Sequence, residues 1–170
     1  MDLSPLTAIG PVDGRYADKT AELRPIFSEY GLIHARVVVE VRWFEALAQS
    51  AAMPELPALD DDARRFLQDV VDGFDEAAAR RVKELEATTN HDVKAVEHYL
   101  RERFAEHRSL AALREFIHFG CTSEDINNLA WSLALRAGRS EVLLPWCDTL
   151  VERVDALARA HADRPMPSSA

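Results

Sequence analysis

Apolar residues return every three or four positions along most of this chain, and no stretch alternates strictly with polar ones. A 3.6-residue period buries one face of a helix, whereas a half-buried strand needs a period of two. Tyr30, Ile33, Val37, Val41, Phe44 and Ala48 predict a helix from about Pro25 to Ser50. The run Val37-Val38-Val39 is strand-like in isolation, but the flanking period outweighs three residues. Met53 to Leu59, with Pro54 and Pro57, reads as a linker. Asp60-Asp61-Asp62 then supplies acids for a helix start, followed by the stripe Phe66, Leu67, Val70, Val71 and Phe74, with Gly73 as its end.

A charged segment from about Asp75 to Glu86 predicts a helix with a solvated face. Thr89 and Asp92 have the spacing of a capping box, with Asn90 an equally good cap. The helix they open carries Val93, Val96, Leu100 and Phe104 and runs to about His107. A short helix near Leu110–His118 follows. Thr122 and Asp125 repeat the capping spacing before Ile126, Leu129, Leu133 and Arg136, with Gly138 closing that helix. Val142, Leu143, Trp146, Leu150, Val154, Leu157 and His161 predict a last helix, with Pro145 near its start, where proline is tolerated. Residues 1–24, with Pro5, Pro11 and the turn pair Asp13-Gly14, read as irregular. No strand pattern survives, so the expected fold class is all-α.

At 170 residues and 48% hydrophobic, the chain suits one domain, or one and part of another. A net charge of −9 argues against nucleic acid or an anionic membrane as the partner, since either needs a basic face. A small anion answers only to the local field and stays possible. The N-terminus lacks the basic-then-apolar build of a signal peptide, and no run is long enough to span a bilayer. Cys121 and Cys147 have no metal-ligand spacing and are expected to be small buried hydrophobes. Cytoplasm is the expected location.

Two polar clusters at helix starts stand out, Asn90-His91-Asp92 and Thr122-Ser123. A helix N-terminus offers unpaired N–H groups and the positive end of the macrodipole, which suits an anion. Asn90 offers an amide, His91 an imidazole donor, and Asp92 either orients an imidazole or caps the helix. Thr122 and Ser123 add two hydroxyls behind Gly120. Both clusters equally fit plain helix capping. Asn127-Asn128 are poor helix formers at mid-helix, which hints at a demand other than structure. Arg15-Tyr16, after the Asp13-Gly14 turn, pairs a planar guanidinium suited to phosphate with a phenol, or is simple surface. Glu115 and His118 have the Glu-x-x-His spacing of di-iron bundles, but such sites need two pairs and further glutamates, so no metal is expected. His34, His98 and His107 read as surface or satisfied core.

Taken in order, Ser4-Pro5-Leu6-Thr7-Ala8, Pro11-Val12-Asp13-Gly14-Arg15-Tyr16, Ile26-Phe27-Ser28-Glu29-Tyr30-Gly31-Leu32, residues 88–95 and Phe116 to Asn128 closely resemble the bacterial adenylosuccinate lyase family of the fumarase/aspartase superfamily. The likeness runs to about Pro165. It implies an all-α lyase that eliminates fumarate from adenylosuccinate and from the succinyl-carboxamide ribotide, without a cofactor, as a homotetramer. It implies that Arg15 and Tyr16 hold the nucleotide phosphate, that Asn90, His91 and Asp92 lie near the reacting part of the substrate, and that Thr122 and Ser123 bind the succinyl carboxylate. The family's acid, a histidine in Thr-His-Gly-Gln, and its base, a serine on a mobile loop, have no counterpart in these residues. After Arg164-Pro165 the chain reads Met166-Pro167-Ser168-Ser169-Ala170 instead. The resemblance therefore implies an N-terminal portion: a helical domain over 1–110, then the beginning of a long-helix domain over 111–170. Its last helix is expected to expose apolar surface. Two other readings stay open, a non-catalytic helical module for nucleotide binding or oligomerisation, and a metal-carboxylate bundle.

Overall fold

Seven α-helices and no strand make up the described part of the computed structural model, which covers Asp2 and residues 4–165. Met166–Ala170, on which the altered chain end was read, lie outside the described residues. The helix expected from Pro25 to Ser50 is two pieces, α1 (Arg24–Phe27) and α2 (Glu29–Gln49), divided at Ser28. Ser28 is extended, and its hydroxyl accepts the Gly31 N–H at 3.3 Å, opening the second piece. Gly31 is what lets the pieces meet so closely. A Cβ there would lie 2.4 Å from the Ile26 carbonyl oxygen, a backbone atom with no room to yield.

Capping chemistry sets the next helices. Asp60 accepts the Ala63 N–H at 2.7 Å and starts α3 (Asp61–Asp72), which ends at Gly73. Asp75 does the same for Ala78 at the head of α4 (Glu76–Thr89). The fifth helix, α5 (Asp92–Ala105), leads into a 3₁₀ segment, Ala111–Phe116, where the short helix was expected. Ile33, Val37, Val41 and Phe44 of α2 meet Leu67 and Val70 of α3, Val82 of α4, and Val96, Leu100 and Phe104 of α5 in one core. Leu110 and Ile117 close it. Phe44 and Phe104 pack edge-to-face at 4.9 Å, a geometry contributing about 1 kcal/mol beyond their burial.

A second, smaller core of Val39, Val93, Ile126 and Ala130 fastens α6 (Ser123–Ala137) across α2 and α5. Arg36 meets Asn127 near one end of this pair, and the Phe27 ring lies against Gly138 at the other, so α6 runs antiparallel to the start of α2. Gly138 is the C-cap of α6, as expected, but it does not end the helical course of the chain. It keeps helical angles (φ −57°, ψ −40°), and it is glycine because the Phe27 ring occupies the space a Cβ would need. Glycine here answers a close approach, not a stop. The chain continues through a π-helical turn, Gly138–Leu143, into α7 (Leu144–Ala160), with Pro145 in its first turn.

No residue of α7 is buried, and Leu150, Val151, Val154 and Leu157 are each about three-fifths exposed. Cys147 on this helix is exposed and Cys121 half-buried, which corrects the reading of both as buried hydrophobes. Among the described residues no helix is long and apolar enough to cross a membrane.

Candidate functional site

The junction of α4 and α5 departs from its sequence reading. Asn90 caps the end of α4 and not the start of α5. It sits in the left-handed region (φ 50°, ψ 34°), with its N–H on Glu86 O at 2.7 Å. Asparagine tolerates that conformation better than most residues. The Thr89–Asp92 capping box does not form, because Thr89 is still the last residue of α4 and Asp92 already the first of α5. His91 is the cap, extended at φ −150°, and its Nδ1 accepts the Lys94 N–H at 3.2 Å.

Asp92 makes no hydrogen bond to an imidazole; the nearest, His91 Nδ1, is 3.7 Å from its Oδ1. Its Oδ2 accepts from Arg36 Nη2 at 2.5 Å and its Oδ1 from the Val93 N–H at 2.8 Å. Burial pushes this carboxyl upward, but the Val93 amide and the Arg36 guanidinium outweigh it and hold Asp92 below the usual carboxylate range. Arg36 is itself buried in α2, and its Nε donates to Asn127 Oδ1 at 2.9 Å. One cation therefore ties the start of α5 to α6. The demand at mid-helix Asn127 is therefore a structural one, which corrects the hint of a purpose other than structure.

The loop before α6 is shaped from α2. His118 is left-handed (φ 62°), an uncommon state for a residue with a Cβ, and Gly120 follows at φ 74°. His118 Nδ1 lies 2.6 Å from Glu40 Oε1, and Trp43 Nε1 donates to Phe119 O at 2.9 Å. Glu40 is almost wholly buried, and its other oxygen has no hydrogen-bond partner among the described residues. Burial raises its pKa, opposed by His118. The predicted capping box at Thr122 forms. The Thr122 N–H and hydroxyl donate to Asp125 Oδ2 at 2.7 and 3.0 Å, and these bonds hold the Asp125 carboxyl low.

Ser123, one residue on, has its Oγ 3.4 Å from His91 Nε2. The two polar helix starts, 32 residues apart in sequence, are thus neighbours in space. A cleft of about 460 Å³ opens beside the second of them, between Trp43 and Gly120, Cys121, Asp125 and Ile126; neither His91 nor Ser123 lines it.

Arg15 and Tyr16 are elsewhere. The Arg15 guanidinium lies over the Tyr16 ring at 5.3 Å, and the Tyr16 N–H donates to Pro11 O. Their segment leads through Thr20 to Glu22, which accepts from Trp146 of α7, and to Phe27 against Gly138. That is the far end of α6, roughly 20 Å along the helix from Ser123. No hydrogen bond or ion pair among the described residues joins Arg15 or Tyr16 to His91 or Ser123.

Glu115 pairs with Arg101 and His118 with Glu40, so the Glu-x-x-His pair is divided between two partners. Among the described residues no three His, Cys, Asp or Glu side chains gather as a metal site. His34 is satisfied by Val71 O and stacked on Phe74, while His107 meets Asp62 and Ser109. Sequence reading passed over Arg36 and Glu40. The available signal was two charged residues inside the buried stripe of α2, each directly beside a core valine.

A family model described as lyase matches residues 14–169. The chain is 54% identical to adenylosuccinate lyase of Escherichia coli (strain K12), over 99% of this chain and 37% of that enzyme. It is 50% identical to the Haemophilus influenzae enzyme and 48% identical to that of Legionella pneumophila (strain Corby), with the same coverage. The chain thus spans about 37% of the length of these curated relatives.

Proposed function

The chain belongs to the lyase family, and we propose that it forms the substrate-binding N-terminal part of an adenylosuccinate lyase, which eliminates fumarate from adenylosuccinate, giving AMP, and from the succinyl-carboxamide ribotide in purine biosynthesis. The observation that carries this reading is the 3.4 Å approach of His91 Nε2 to Ser123 Oγ, which sets two helix N-termini and their hydrogen-bonding side chains against one small volume. Such a volume suits a carboxylate. In the reaction a base removes a proton from the carbon next to a carboxylate, and the charge that builds there needs fixed donors. Thr122 and Ser123 are proposed to hold the succinyl carboxylate, with Asn90, His91 and Asp92 beside the reacting carbons. Arg15 and Tyr16 are proposed to take the nucleotide phosphate.

Proton transfer is assigned to groups outside this sequence, because it contains neither Thr-His-Gly-Gln nor the serine loop. Arg15 belongs to the segment that leads to the Gly138 end of α6 and has no bond to Ser123 among the described residues, which supports a site composed from more than one copy of the chain. The exposed apolar face of α7 supports association into a homo-oligomer, a tetramer by family precedent. We place the division between the two helical regions near Leu110, and the protein in the cytoplasm.

Adenylosuccinate incubated with this chain alone should release fumarate at the background rate, followed by ultraviolet absorbance. Titration with AMP should show binding that Arg15→Ala removes. Sustained turnover would refute the assignment of the acid and base to absent motifs. AMP binding unchanged by Arg15→Ala would refute the phosphate role. A second reading, a non-catalytic nucleotide-binding or oligomerisation module, is favoured by the exposed face of α7 and predicts association without turnover, with AMP binding if the nucleotide half-site survives and none if the module serves oligomerisation alone.

A further inference from the structure

The segment that carries Arg15 folds on itself. The Tyr16 N–H donates to Pro11 O and the Ala17 N–H to Gly14 O, each at 3.0 Å. The Thr20 hydroxyl lies 3.2 Å from Val12 O and 3.1 Å from Tyr16 O, and Arg24 Nη2 donates to Ala17 O at 2.8 Å. These bonds make residues 11–20 one compact hook, which moves as a unit when its base moves. Of residues 4–23 only Gly14 is buried, and Leu6, Ile9 and Val12 are exposed. A segment with so little buried surface opens locally at small cost unless something ties it down.

Two contacts hold the base of the hook against the body. The Phe27 ring lies on Gly138. Glu22, between the hook and α1, accepts from Trp146 Nε1 of α7 at 2.9 Å. Among the described residues this is the one hydrogen bond or ion pair that joins residues 4–23 to any element beyond α1. An indole N–H only donates and an ionised carboxylate only accepts, so the bond is charge-assisted and has a single sense. Glu22 and Trp146 line a cleft of about 400 Å³ together with Glu141 and Arg153, yet no ion pair among the described residues takes Arg153 to Glu22. Trp146 is more than half exposed and belongs to neither buried core, so losing its N–H leaves the packing of the body in place.

We infer that Trp146 is a positioning residue for the proposed phosphate site: through Glu22 it fixes the base of the hook that presents Arg15 and Tyr16. A guanidinium grips phosphate with a planar fork, and a fork on a loose mount must be ordered at the moment of binding, which weakens affinity. The indole does that ordering beforehand, from a helix 124 residues further along the chain. The role in phosphate binding rests on the functional reading above, whereas the anchoring of the hook does not.

The experiment separates the two. Hydrogen exchange of the backbone amides of residues 11–20 is followed by mass spectrometry in wild type, Trp146→Phe, which keeps an aromatic ring without the N–H, Glu22→Leu, which removes the acceptor, and Glu22→Gln, which keeps an acceptor oxygen. Each is then titrated with AMP and with adenosine, which lacks the phosphate. In Trp146→Phe and Glu22→Leu the hook should exchange about threefold faster or more, and AMP should bind more weakly by a similar factor, the scale of one hydrogen bond. Glu22→Gln should behave as wild type, adenosine binding should not change, and the amides of α5 should exchange alike in every variant. Unchanged exchange of the hook in Trp146→Phe overturns the inference. Equal weakening of AMP and adenosine overturns the positioning role, and a Glu22→Gln as impaired as Glu22→Leu overturns the assignment to the indole bond. Faster exchange in the variants with no AMP binding even in wild type overturns the phosphate reading and leaves the anchoring standing.

Discussion

Arg36→Met removes the one cation that links the starts of both site helices while keeping most of the apolar stem. The Arg36 side chain is 6% exposed and gives two charge-assisted bonds, to Asp92 and Asn127. Each such bond contributes about 1.5–3 kcal/mol when its partner is left buried. Two effects reduce the loss. Asp92 is 42% exposed, so water re-solvates much of it, and removing the buried guanidinium also removes its own desolvation cost. A net destabilisation of about 1–3 kcal/mol remains, or a fall in Tm of roughly 3–10 °C for a domain of this size.

The pH dependence sharpens the test. Asp92 is held below its usual range, so the stability it contributes is present above its unfolded pKa of about 3.9 and is lost as pH falls through the folded value. The gap between wild type and Arg36→Met, measured by thermal unfolding with circular dichroism, should therefore be full at pH 7 and shrink below about pH 4. Equal melting temperatures at pH 7, or a gap that persists unchanged in acid, would refute the assignment of Arg36 as the tie between α5 and α6.

Two more expectations follow from buried and exposed groups. Burial raises the Glu40 carboxyl, so its contribution is fully present below the unfolded value of about 4.3 and is lost as pH rises through the folded pKa. Glu40→Gln can still accept from His118 without a buried charge. It should gain stability relative to wild type between pH 4 and pH 8 in denaturant titrations, and a difference constant across that range would contradict this. On α7, Leu150→Glu with Leu157→Glu should weaken the concentration-dependent association expected of its apolar face in sedimentation velocity. An unchanged sedimentation profile would show that the face is not what joins the copies.

What was legible in the sequence was the part governed by local chemistry. Asp60 and Gly73 bound α3 as read, and the Thr122–Asp125 box opens α6 as read, because caps act within four residues. The α4–α5 junction misled for the same reason. Asn90, His91 and Asp92 are all competent caps, and only the packing of α4 decides which helix each belongs to. Gly138 looked like a stop because its reason for being glycine, the Phe27 ring, lies 111 positions away in sequence. Arg36 and Glu40 escaped notice because a buried charge is intelligible only with its partners, and those come from other elements. The pairing of His91 with Ser123 depends on α5 and α6 both resting on Val39 of α2, a contact no spacing encodes.

The π-helical turn at Gly138–Leu143 gives the rod from Ser123 to Ala160 two bearings. Each residue inserted by i→i+5 bonding swings everything beyond it by about 100° relative to an unbroken helix. The near half is thereby aimed at its own molecule, while the far half, extending about 25 Å further, points its oily side elsewhere, like a spar stepped to carry a neighbour's rigging. Gaining or losing a single residue at that joint would leave both halves helical yet turn the outer one more than a quarter of a circle away from whatever it was shaped to meet.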